Sequence, residues 1–470
     1  MKRKIYDQLL DWKRNRAGTT AIMIDGARRV GKSWIAEEFA KREYPAYLLI
    51  DFAKIPAKVK RYFNDYLEDL DSFFMYLLGA YQVELPKGSL IIFDEVQRFP
   101  RARESIKYLV ADGRYHYIET GSLISINKNV KDIVIPSEEH HLEMFPMDFE
   151  EFLWATGRAG MMPVIKNHFE KCLPLGEDTH RSVMDAFRQY MVVGGMPQAV
   201  LKFIETHNLR DVEAVKQDIL ALYRADIGKF AGALRHKVES IFQLIPSQLS
   251  RHEKRFVLAD LKKDAKMRDY DTSFEWLKSA MTVNVCYAST EPTVGLGMRT
   301  DVMSLKCYLG DTGLLVSMTF SAFGGWSVEI QNRLLVDALS VDKGPLMENV
   351  VAQMIRASGQ KIFFYSNSDR DRKENRMEID FLLLKPTLTR RHNMVPVEVK
   401  SNNDYTTTSL ERFRAKYAEQ LHHPVVLHPK DVKTDKGIVY LPLYMTQLLV
   451  ESHDLGMRAL DPAHRPPNNR

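Results

Sequence analysis

Gly26-Ala27-Arg28-Arg29-Val30-Gly31-Lys32-Ser33 has the spacing G-x-x-x-x-G-K-[ST], and the rest of the chain is read from it. It follows Thr20-Ala21-Ile22-Met23-Ile24-Asp25, an apolar run of strand length, and opens onto Trp34-Ile35-Ala36-Glu37-Glu38-Phe39-Ala40, whose apolar residues recur at helical spacing. Strand, glycine-bearing loop and helix in this order make a phosphate-binding loop. The glycines let successive backbone N–H groups and the positive end of the helix face a polyphosphate. Gly26, Ala27, Arg28, Arg29, Val30 and Gly31 form the cradle, Lys32 is expected at the β- and γ-phosphates of ATP, and Ser33 at Mg²⁺.

A second signal lies downstream. Ser89-Leu90-Ile91-Ile92-Phe93-Asp94-Glu95 is a continuous apolar run ending in two carboxylates, as a central strand buried on both faces would be. Ligands of open α/β sheets bind at the edge where such a strand ends. Asp94 is therefore expected to assist Mg²⁺, and Glu95 to polarise the water that attacks the γ-phosphate. Further strands are predicted at Ala46–Asp51 and Tyr115–Glu119, helices at 62–81 and 101–110, and Thr120 and Ser122 at the same sheet edge. Strands alternating with helices predict an α/β fold with a doubly wound, mostly parallel sheet over residues 1–150.

The 470 residues hold 45% hydrophobic and 27% charged side chains, and Lys+Arg 66 against Asp+Glu 61 leaves a formal charge of only +5. That permits a local nucleic-acid patch but argues against a general DNA-coating protein. Residues 1–13 start basic without reaching an uncharged apolar stretch, so neither signal peptide nor membrane anchor is expected. Cys172, Cys286 and Cys307 have no metal-ligand spacing, and a reducing cytoplasm is the expected compartment. His140-His141 and His422-His423 lack partners at ligand spacing and are read as surface or strand-end residues.

Together with Phe93-Asp94-Glu95-Val96-Gln97, Thr120-Gly121-Ser122 and Phe145-Pro146-Met147-Asp148-Phe149-Glu150-Glu151-Phe152-Leu153, the loop resembles the prokaryotic AAA-type ATPases whose C-terminal half carries a domain of unknown function. Val193-Gly194-Gly195-Met196-Pro197, Tyr223-Arg224-Ala225-Asp226-Ile227 and Leu309-Gly310-Asp311-Thr312-Gly313-Leu314-Leu315 extend the resemblance over most of the chain. It implies an ATPase using ATP and Mg²⁺, with a homo-oligomer as a candidate assembly. One departure is the absence of an arginine in Ile135–His141, where many relatives have a Gly-Arg pair; the expectation is that Arg101, Arg103 or another residue replaces it, or that hydrolysis is slow.

Residues 151–235 are expected to form a helical lid and 236–320 a winged helix, with the helix of 241–244 broken at Pro246 and a basic helix over Phe256–Lys266. Arg251, Lys254, Arg255, Lys262, Lys263, Lys266 and Arg268 make DNA a candidate partner. In 321–455, a helix bearing Glu348 precedes strands bearing Glu378-Ile379-Asp380 and Glu398-Val399-Lys400. That order resembles the restriction-endonuclease-like PD-(D/E)xK fold. The resemblance implies that Asp380 and Glu398 bind Mg²⁺, Glu348 completes the metal site and Lys400 positions the attacking water. Residues 456–470 read as a disordered, Pro-rich tail.

Overall fold

Residues 21–26 form β1 (Ala21–Gly26), which lies inside a parallel sheet with β2 (Tyr47–Asp51), β3 (Leu90–Asp94), β4 (His116–Gly121) and β5 (Glu139–Met144) in the order β2-β3-β4-β1-β5. This computed structural model describes residues 1–121, 137–251, 255–321, 327–337, 342–367, 376–384 and 393–451. Ser122, Lys254 and the 456–470 tail lie outside the described residues. The chain divides into two compact units, one of Met1–Phe145 with Asp226–Gly232 and Ser279–Met281, the other holding the rest.

In the first unit β1, β3 and β4 are buried on both faces because helices cover both. Ile22, Ile24, Leu90, Ile92 and Ile118 pack with helices Ile5–Asn15 and Lys32–Glu43. Met23, Ile91, Phe93 and Tyr117 pack with helices Ala57–Asp65, Leu70–Tyr81 and Pro100–Asp112. The single helical stretch expected over 62–81 is thus two helices; Asp69 caps the second by accepting from the Ser72 N–H. β5 had no counterpart in the sequence reading. It is an edge strand with one buried column, Leu142 and Met144, so it lacks the apolar run that marks its neighbours.

The second unit is helical from Phe149 to Ala225 apart from short connections. It also holds a mixed sheet of β6 (Val283–Ser289), β7 (Thr300–Leu309), β8 (Phe363–Asn367), β9 (Met377–Leu384), β10 (Met394–Val399), β11 (Val425–His428), β12 (Lys433–Asp435) and β13 (Ile438–Pro442). Its order among the described residues is β12-β13-β11-β10-β9-β8-β6-β7. The hairpin expected as a wing is β6–β7, and β6 pairs in parallel with β8, so one sheet crosses the boundary expected at 320.

Two local expectations are corrected. Helix Arg235–Leu249 runs through Pro246, and Phe256–Lys266 forms no α-helix but the short 3-10 helix Leu258–Asp260 followed by turns. Tertiary bonds decide the second case. The Phe256 N–H donates to Leu305 O at 2.8 Å, Val257 N–H to Gln248 Oε1 at 2.8 Å, and Gln248 Nε2 to Asp260 Oδ2 at 2.7 Å. Among the described residues no helix is long and apolar enough to cross a membrane.

Candidate functional site

β1 ends in Gly26, and the loop turns back over it. A Cβ on Gly26 would stand 2.5 Å from Met144 O, so glycine is required by the close approach of β5. Arg29 (φ 69°) and Gly31 (φ 102°) adopt left-handed backbone, which closes the loop onto the start of helix Lys32–Glu43. Buried Arg3 braces it from behind, donating to Val30 O at 3.1 Å and Phe145 O at 2.6 Å. No sequence signal marked Arg3, because its partners are backbone carbonyls far along the chain.

The sheet edge brings Lys32, Ser33, Asp94, Glu95 and Thr120 together. Lys32 Nζ donates to Gly26 O at 2.9 Å and Ala27 O at 3.0 Å. Burial pulls its pKa down to about 8, against the pull of Glu95, Asp25 and Asp94. Ser33 Oγ donates to Asp94 Oδ1 at 2.7 Å, and the Thr120 hydroxyl donates to the same oxygen. Hydroxyl beside carboxylate is the hard-oxygen donor set Mg²⁺ prefers, so the residues present fit that ion. Glu95 has left-handed backbone (φ 56°), its N–H reaches Thr120 Oγ1 at 3.3 Å, and Gln97 Nε2 donates to its Oε2 at 2.7 Å. Strained backbone of this kind in a non-glycine residue persists where the surroundings over-determine it.

Behind the loop lies a buried ionic network. Arg103 is 2% exposed and donates to both oxygens of Glu139, at 2.8 and 2.6 Å. It is therefore held in a buried ion pair inside the unit, whereas Arg101 is exposed and paired with Glu104 at 3.2 Å. His141 is not a bystander either, since Nδ1 meets Asp25 Oδ2 at 2.6 Å and Nε2 meets Glu139 Oε2 at 3.2 Å. Those carboxylates raise His141 to about 9, whereas burial and the charge of Glu139 push Glu119 well above the carboxylate range. The raised His141 pKa implies stability that is full below its ordinary value of 6.5 and lost as pH rises through about 9. His141→Gln is thus expected to lower stability by about 1 kcal/mol at neutral pH, discounted for the partial exposure of the ring. In urea denaturation the gap from the parent should close above pH 9; a gap constant with pH would contradict the charged assignment.

In the second unit Glu348, Asp380, Glu398 and Lys400 occupy neighbouring elements, but a residue absent from the expected set stands among them. Lys306, on β7 and fully buried, has Nζ 2.6 Å from Glu378 Oε1, 3.4 Å from Asp380 Oδ1 and 4.0 Å from Glu348 Oε2. Burial alone would lower its pKa; Tyr308, Glu378 and Asp380 instead hold it well above the ordinary lysine value. Lys400 Nζ lies 2.8 Å from Glu398 Oε2, and burial lifts Glu398 to about 7 despite that partner. Among the described residues no group of three or more His, Cys, Asp and Glu is arranged to hold a metal. The metal site implied for Glu348, Asp380 and Glu398 therefore does not fit this arrangement. Lys306 was not legible in the sequence because its strand was read as part of a wing.

Residues 18–153 match the family described as an AAA domain. Residues 184–322 match a domain of unknown function, DUF8612, and 343–446 another, DUF4143. No curated protein matches. Among solved structures, a Walker-type ATPase of Pyrococcus abyssi is similar at 12% identity and TM-score 0.37, over 67% of this chain and 95% of that one. The Drosophila ORC bound to DNA is similar at 14% identity and TM-score 0.27, over 68% and 95%. The S. cerevisiae Hsp104–ADP complex is similar at 13% identity and TM-score 0.26, over 59% of this chain and 38% of that one. Likeness this loose carries no weight for function. With the loop, the acidic strand end and the parallel sheet all inside the matched segment, the N-terminal unit contains an ATP-binding domain of the AAA type in residues 18–153.

Proposed function

We propose that the chain hydrolyses ATP by attack of water on the γ-phosphate, giving ADP and phosphate, and that its nucleotide state controls the hold of the C-terminal unit on a partner, with DNA the first candidate. The observation that carries the reading is the convergence of Ser33 and Thr120 on Asp94, one residue from Glu95 and across the loop from Lys32. Lys32 would leave its two loop carbonyls for the β- and γ-phosphates. Ser33 and Asp94 would hold Mg²⁺, which when bound supplies charge neutralisation and Lewis acidity at the phosphates. Glu95, partly exposed, is the group to orient and deprotonate the water, and Thr120 keeps Asp94 and the Glu95 backbone in place. Within the first unit, Arg28 of the loop is ion-paired with Asp226.

The test is ATP turnover by the purified chain with Mg²⁺, with and without single- or double-stranded DNA, alongside Glu95→Gln. The variant is expected to bind ATP as the parent does and to lose about 10²–10⁴-fold in turnover, the range for removing a general base. Tight binding with no turnover in either protein would replace hydrolysis by a nucleotide-gated scaffold. Parent turnover indifferent to DNA would remove DNA as the partner.

A further inference from the structure

The C-terminal centre contains its own cation. Three carboxylates, from helix Gly344–Ala357 (Glu348) and β9 (Glu378 and Asp380), surround Lys306 Nζ at 4.0, 2.6 and 3.4 Å. The remaining groups are engaged as well. Tyr308 donates its hydroxyl to Glu348 Oε2 at 3.0 Å, and the Val399 N–H donates to Asp380 Oδ2 at 2.9 Å. The lysine has little freedom to withdraw, since it has no exposed surface and Nζ stands 5.1 Å from the centre of the Phe364 ring.

We propose that the ammonium of Lys306 takes the place of a divalent cation among Glu348, Glu378 and Asp380, so that this centre is a metal-free descendant of a nuclease-like site and binds neither Mg²⁺ nor Mn²⁺. Geometry supports this first. Mg²⁺ needs oxygen ligands at about 2.0–2.1 Å in near-octahedral array. The ammonium, 2.6 Å from Glu378 Oε1 and 3.4 Å from Asp380 Oδ1, stands where such an ion would have to sit. Charge supports it second. A divalent ion added here would sit against a buried positive charge, and taking two like charges out of water together is unfavourable. With no metal to polarise a phosphodiester or activate water, Glu398 and Lys400 form an ion pair at 2.8 Å in place of a catalytic pair. The unit can then grip a partner without cutting it, which goes beyond the ATPase reading and does not depend on it.

The experiment is thermal unfolding of the nucleotide-free full chain with and without millimolar Mn²⁺ or Mg²⁺, for the parent, Asp380→Asn, Lys306→Met and the Lys306→Met/Asp380→Asn double variant. The parent is expected to show no rise in Tm that depends on Asp380. Lys306→Met keeps the length of the side chain but strips the counter-charge from three carboxylates. It should melt several degrees lower, and Mn²⁺ should restore most of that loss, with the restoration absent in the double variant. A parent whose Tm rises with Mn²⁺, the rise vanishing in Asp380→Asn, would overturn the proposal, as would Mn²⁺-dependent nicking of plasmid by the parent that Asp380→Asn abolishes. A folded Lys306→Met protein indifferent to Mn²⁺ would also overturn it, because the carboxylates would then not be a metal site with the metal replaced. If Lys306→Met does not fold, the comparison of the parent with Asp380→Asn still decides.

Discussion

Lys32→Ala is expected to cut ATP turnover by about 10²–10³-fold, the usual loss when one preorganised donor to developing charge is removed. The side chain is already aimed along the loop, donating to Gly26 O and Ala27 O at 2.9 and 3.0 Å, so little reorganisation separates its resting place from a bound polyphosphate. Alanine leaves those carbonyls to water and removes an ammonium that Glu95, Asp25 and Asp94 act upon together. The same residue sets a pH dependence with a definite sign. In the free protein burial lowers Lys32 to about 8, and only the protonated form attracts phosphates. Since kcat/KM reports the free enzyme, it should fall as pH rises through about 8, and that descending limb should be missing from whatever activity Lys32→Ala retains. A profile flat across that range, or turnover retained in the variant, would remove Lys32 from the proposed chemistry.

Gly195→Ala is expected to destabilise the second unit by more than about 4 kcal/mol, a large share of a domain's total stability. A Cβ at Gly195 would lie 2.1 Å from Met147 O and 2.8 Å from Met147 N, and backbone atoms cannot move aside as the end of a flexible side chain can. The substitution would also break two bonds that meet at this residue, Met147 N–H to Gly195 O at 2.7 Å and Gly195 N–H to Asp311 Oδ2 at 2.6 Å. Asp311 is fully buried, and its other oxygen caps helix Thr312–Phe320 by accepting from the Leu314 N–H at 2.9 Å, so losing Gly195 leaves a buried carboxylate under-satisfied. Gly160, where an added Cβ meets nothing within 4 Å, provides the control, and Gly160→Ala should melt like the parent. Urea or thermal denaturation of both variants makes the comparison; equal midpoints would mean that the close approach at Gly195 is relieved in solution.

These two residues also mark how far each source of information reaches. Gly26–Ser33 and Leu90–Asp94 could be read along the chain because their chemistry is local: adjacent backbone groups bind phosphate, and a strand buried on both faces must be apolar throughout. The strands β9 and β10 were legible on the same principle, as period-two alternation places Glu378 and Asp380 on one side and Ile379 and Phe381 on the other. Gly194-Gly195 and Gly310-Asp311-Thr312-Gly313 could be quoted as motifs, but their task could not. They pack against one another, Asp311 accepting from Gly195 and Gly313 lying so close to Val193 O that a Cβ would meet it at 2.5 Å.

What the sequence by itself determined is the ATP-binding domain apart from its edge strand β5: its strands β1 to β4, its phosphate loop and its acidic strand end, all set by backbone geometry and burial within short segments. Only the tertiary structure decided that Arg103 and His141 serve a buried network with Glu139 and Asp25, and that the expected wing joins the C-terminal sheet through β6 and β8. It alone brought Lys306 to Glu378 and Asp380. The physical reason is the same in each case. A charge buried away from water is paired by whatever the fold brings near it, and no spacing in the sequence records that partner.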